Sequence, residues 1–107
     1  MTLAPAAPVQ LKESAPGKFQ AGGALTFATA RGARDSGLAA FGAASARDIH
    51  VDCSAITASD SAGMTVLLDW MAFAKQSGRS LHFQSLPPQL QAIARICDVL
   101  ELLERGV

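Results

Sequence analysis

A charge of one sign is what this sequence most plainly lacks. Nine basic residues face nine acidic ones, so the formal net charge is zero. The basic residues are scattered and build no field to hold nucleic acid or an anionic membrane. Aromatic and basic residues do not interleave as they do on an RNA-binding surface. No run is long enough to cross a bilayer. The longest apolar stretch, Ala62 to Ala74, is interrupted by Asp69 and falls well short of the ~20 residues that a span needs. The first ten residues, MTLAPAAPVQ, have no basic leader and are broken by Pro5 and Pro8, which makes a poor signal peptide. Phosphate-binding loops of either glycine-rich kind are missing. Histidines number two, His50 and His82, and metal ligands do not cluster, so no metal or cofactor is expected. The two cysteines, Cys53 and Cys97, read as small buried hydrophobes rather than a disulfide. A soluble, cytoplasmic protein with no direct membrane insertion and no nucleic-acid partner is the expectation.

What is present is core material. Half of the 107 residues are hydrophobic and 17% are charged, a balance that suits one folded domain and argues against disorder. Residues 1–8 read as a flexible Ala/Pro tail and 9–107 as a single domain. VQLKES alternates weakly, as an edge strand would, and Pro16-Gly17 supplies a turn. GALTFATA places Leu25 and Phe27 two apart and reads as a strand. RGARDSG reads as a loop, with Asp35 and Ser36 opening a short helix through Leu38 and Phe41. In DIHVDCSA, Ile49, Val51 and Cys53 share one face, which predicts a strand ending near Ser54.

From Ser61 the period changes to three and four. Met64, Leu67, Leu68, Met71 and Ala74 predict a helix to about Ser77, stopped by Gly78. SLHFQSL alternates as another strand. Pro88 opens a helix through Leu90, Ile93, Ala94 and Cys97. Asp98 caps a last short turn carrying Leu100, Leu102 and Leu103. The order β-β-α-β-α-β-α(α) implies an α/β fold, with right-handed crossovers and a largely parallel sheet.

The informative stretch is TASDSAGMTVLLDW. Ser59, Asp60 and Ser61 precede a helix whose first amides lack partners, and one of them is expected to cap it. Gly63 is costly in a first turn, which points to close approach of a neighbouring strand or of a partner's backbone. Ser61 would then stand at a positive helix end. The apolar arc of the helix is wider than packing on a sheet requires. Either neighbouring helices cover its edges, or they form an interaction patch with Trp70 as the aromatic anchor. SDSAG also resembles a hydrolase elbow around Ser61, with His82 and Asp98 as imaginable partners. Ser59 replaces the first glycine, the strand is expected to end too early, and His82 precedes Asp98, so this reading is set aside.

The segments DIHVDCSAITASDSAGMTVLLDW and AKQSGRSLHFQSLPPQLQAIARICDVLELL resemble a STAS domain, over roughly residues 20 to 105. The resemblance implies a STAS-like α/β fold, a four- to five-stranded mixed sheet with about four helices mainly on one side. It implies two functions. In the small STAS subunit of the Mla phospholipid transporter, the residue matching Ser61 sits where the domain docks on the cytoplasmic ABC transporter ATPase. In anti-sigma factor antagonists it is phosphorylated by an anti-sigma factor kinase. Antagonists usually show a second hydroxyl and a second glycine where this chain has Ala62 and Thr65. The expectation is therefore a non-catalytic accessory subunit of the MlaB-like kind. Asp60, Ser61, Ala62, Gly63, Thr65 and Trp70 would meet the ATPase, and Ser61 is the phosphorylation or docking point. The antagonist is the alternative.

Overall fold

The computed structural model describes residues 9–96 and Leu103. The expected tail at 1–8, Cys97 and the Asp98-capped last turn lie outside the described residues, except Leu103, which is helical and fully buried. Seven elements follow in the expected order: β1 (Gln10–Ala15), β2 (Lys18–Leu25), α1 (Ala30–Ala43), β3 (Asp48–Ser59), α2 (Ser61–Gln76), β4 (Ser80–Gln84) and α3 (Pro88–Ile96). The strands form one sheet in the order β1-β2-β3-β4. β1 runs antiparallel to β2, whereas β2, β3 and β4 are mutually parallel.

The β1–β2 hairpin turns at Pro16-Gly17, where Gly17 takes φ +77°. A Cβ there would meet the Asp48 carbonyl oxygen at 2.6 Å, so both the angle and the space call for glycine. The two parallel connections, β2-α1-β3 and β3-α2-β4, step the same way along the sheet. Right-handed crossovers then put both helices on one face. Phe19, Ala21, Ile49, Val51, Cys53, Leu81 and Phe83 point toward those helices and are buried. The other face carries Lys18, Gln20, His50, Asp52, His82 and Gln84, all partly or largely exposed. Burial, assisted by the charge of Asp52, pushes the Cys53 thiol up to about 12, as suits an inert core residue.

Helices α1 and α2 pack through a notch. Ala33, Gly37 and Phe41 form a buried stripe on α1 at a spacing of four. Trp70 fills the space that Gly37 leaves: a Cβ there would lie 2.1 Å from the indole nitrogen. The indole N–H donates to the Arg34 carbonyl at 3.3 Å, and its ring meets Phe41 edge-on at 5.4 Å. Gly78, at φ +74°, ends α2 as predicted. The Arg79 and Gly78 amides donate back to Ala74 and Lys75 at 2.8 and 3.1 Å, the Schellman pattern.

Three boundaries differ from the sequence expectation. β2 stops at Leu25, and Thr26–Thr29 form a turn instead of continuing it. The Thr29 hydroxyl closes that turn, donating to the Ala24 carbonyl at 2.6 Å and accepting from the Thr26 amide at 3.0 Å. Helix α1 begins at Ala30, earlier than Asp35, because the turn that Thr29 closes leads straight into it: the Ala33 amide donates to the Thr29 carbonyl at 2.9 Å and starts the helical ladder. β3 runs on to Ser59 rather than ending near Ser54. Two register shifts against β2 break its alternation, so Ser54 and Ala55 are both exposed before Ile56 turns inward. Four strands and three helices are described, and a fifth strand is not among them.

Candidate functional site

The parallel strands β2 and β3 deliver two loops to the same end of the sheet. One is the Thr26–Thr29 turn entering α1, and the other is the single residue Asp60 between β3 and α2. Asp60 has an extended backbone and caps α2. Its Oδ1 accepts from the Gly63 amide at 3.1 Å, and its Oδ2 accepts from the Phe27 amide at 3.0 Å. Its own amide donates to the Leu25 carbonyl at 3.4 Å. One carboxylate thus ties the α2 N-terminus to the turn before α1. The Phe27 amide foremost, with those of Gly63 and Ala62, holds the Asp60 carboxyl below its ordinary range against some desolvation.

Gly63 is buried. A Cβ at this position would fall 2.2 Å from the Leu25 carbonyl oxygen and 2.9 Å from Leu25 Cγ. Of the two explanations for this glycine, close approach of the neighbouring strand is the one observed. The first turn of α2 sits directly against the end of β2 and leaves its outer side open. Ser61 and Thr65 are exposed there, with Ala62 half-buried between them. The Thr65 hydroxyl donates to the Ser61 carbonyl at 3.2 Å. Among the described residues the Ser61 hydroxyl has no hydrogen-bond partner.

Asp60, Ser61, Ala62, Gly63 and Thr65 therefore come together as expected, though Gly63 faces inward. Trp70 does not join them. It is 0% exposed, enclosed by Gly37, Phe41 and Phe83. The wide apolar arc of α2 is covered by α1 and α3, so Trp70 is no surface anchor. The aromatic side chain at this end is Phe27, 84% exposed. Its placement two residues after Leu25 reads as strand alternation. Only the threonines around it hinted at a turn, so sequence reasoning missed it.

The hydrolase reading changes footing. With β3 running to Ser59, the strand does lead directly into α2, and that objection falls. A stronger one replaces it. His82 pairs with His50 near the start of β3, on the order of 30 Å along the strand from Ser61 at ~3.3 Å per residue. No imidazole can take a proton from this hydroxyl. Among the described residues, no helix is long and apolar enough to cross a membrane.

A family model described as "Mlab, STAS domain" matches residues 10–104. The chain belongs to the MlaB-type STAS domain family. No curated protein matches this STAS domain significantly. Among solved structures it is similar to the anti-sigma factor antagonist SpoIIAA in its unphosphorylated form. Identity there is 14%, the TM-score is 0.62, and 82% of each chain is covered. At that identity the likeness speaks to the fold, and it agrees with the four-stranded mixed sheet and its helices on one face.

Proposed function

We propose that this STAS domain is a non-catalytic accessory subunit that docks on the cytoplasmic ATPase of an Mla-type phospholipid ABC transporter. The observation that carries the reading is the outward-facing Ser61 at the start of α2, beside exposed Phe27. Asp60 holds both loops in one rigid arrangement. A partner meeting this end finds a hydroxyl, a positive helix terminus and an aromatic ring presented together. Preorganised loops of this kind lower the ordering cost of association. Such a subunit would be cytoplasmic and would reach the inner membrane only through its partner.

A second reading has its own support. An exposed serine hydroxyl with no partner among the described residues suits a phosphate acceptor, as in an anti-sigma factor antagonist. Phosphorylation there would add roughly −1.5 to −2 charge directly beside Asp60 and repel it. A pull-down from the native host separates the two. An ATPase companion supports the transporter reading, whereas a kinase-like anti-sigma factor, with phosphate on Ser61 by mass spectrometry, supports the antagonist. Ser61→Glu is expected to weaken docking in either case. Recovery of neither companion with the intact chain, under conditions that retain known complexes of the host, would refute both.

A further inference from the structure

The helix-free face of the sheet carries polar side chains in register. Lys18, His50 and His82 form one row across β2, β3 and β4, and Gln20, Asp52 and Gln84 form the next. The two histidines are the only ones in the chain. Their rings stack with centroids 4.8 Å apart and planes 14° from parallel. Nδ1 of His50 is buried and has no hydrogen-bond partner, a condition that folded proteins ordinarily relieve with a ligand, an ion or a water. A cleft of about 520 Å³ opens beside His50, lined also by Lys18, Gln20, Asp52 and Gln84.

We propose that His50 and His82 chelate a divalent transition-metal cation, zinc or nickel in class, and so staple edge strand β4 to β3. Neutral imidazole is a preferred ligand for these ions. Tetrahedral zinc with Zn–N bonds of ~2.0–2.1 Å needs its two nitrogens about 3.3 Å apart. The strand pairing sets the two rings side by side, and reaching that spacing requires both to rotate about their side-chain bonds. Neither ring is tied down by a hydrogen bond among the described residues. No set of three His, Cys, Asp or Glu side chains that could hold a metal gathers there, so water from the cleft completes the shell. Asp52 lies on the same face, two residues along from His50. One of its oxygens accepts from the Ser54 amide at 2.9 Å, and on this proposal the other would accept from a metal-bound water. Lys18, on the far side of His50, opposes a cation and restrains the affinity. Magnesium, which favours oxygen ligands, is excluded by the same chemistry.

The test titrates the full chain with ZnCl2 and NiCl2, with MgCl2 as the control, by calorimetry and thermal melting. The expected result is one zinc per chain, a melting temperature that rises with zinc, and joint movement of both histidine side-chain NMR signals. His50→Asn and His82→Asn should each weaken zinc binding at least tenfold while melting like the wild type without metal. Cys97→Ser should bind as the wild type does. Lack of saturable binding below about 1 mM, which is ~4 kcal/mol of affinity, overturns the proposal. So does undiminished binding in either histidine variant, or loss of binding in Cys97→Ser.

Discussion

Replacing Gly63 by alanine is the sharpest probe of how the site is built. The added Cβ would lie 2.2 Å from the Leu25 carbonyl oxygen, a backbone atom that cannot swing aside. Ordinary contact requires α2 and the end of β2 to separate by about 1 Å, and overpacking of this kind costs ~1–3 kcal/mol. The same movement stretches the Asp60 amide's bond to Leu25 and the Phe27 amide's bond to Asp60, each worth ~1 kcal/mol. Alanine recovers up to ~1 kcal/mol of helix propensity. The net is a loss of about 2 kcal/mol, or roughly 10 °C in melting temperature for a domain of this size. Gly32→Ala provides the internal control. It lies within α1, and a Cβ there meets nothing within 4 Å, so only the propensity gain of ~1 kcal/mol should remain. Urea and thermal melts of the two variants should therefore move in opposite directions. If Gly63→Ala is as stable as the wild type, the close packing of α2 on Leu25 is wrong, and with it the account of how the loops are held.

Phe27→Ala should leave stability within ~0.5 kcal/mol, because so exposed a ring contributes little to the core. It should weaken binding of the docking partner at least tenfold by calorimetry, and unchanged affinity would remove Phe27 from the interface. The folded-state pKa of Asp60 lies below the ordinary 3.8, so its stabilising contribution is complete above that pH and fades as the pH falls through the lower folded-state value. Asp60→Asn should flatten that part of the acid-unfolding curve, and an identical curve would contradict the assigned hydrogen bonds. The Arg79 guanidinium caps α1, donating to the Phe41 and Ala44 carbonyls at 2.5 and 2.6 Å. Arg79→Ala should cost about 2 kcal/mol in urea titrations, with Arg79→Lys restoring only part of it, since an ammonium cannot fork to both carbonyls.

The parts of this fold that were legible in the sequence are those where one period holds without interruption. The alternation of Ile49, Val51 and Cys53 and the helical recurrence from Met64 to Ala74 each reflect a single buried face. Gly78 and Pro88 act locally, through backbone geometry, and their positions follow from that alone. The end of β3 was hidden because register shifts against β2 replace the period of two by irregular steps. The β2–α1 boundary was hidden because Leu25 and Phe27 are spaced as strand residues, although one is buried and the other exposed. Trp70 was misplaced for a different reason. Periodicity shows which face of α2 is apolar but not that α1 offers a glycine notch to receive it. The Asp60–Gly63 loop was legible in composition, and its tie to Phe27 was not, because 33 residues separate the partners.

The division of labour at Asp60 has a consequence for recognition. Both of its oxygens accept from main-chain amides of different segments, so the acid joins two loops that lie far apart in the chain. It works as a rivet between them. On the proposed docking reading, a change of companion would act on Ser61, Thr65 and Phe27 while the rivet stays fixed, so that one scaffold could change allegiance without being rebuilt.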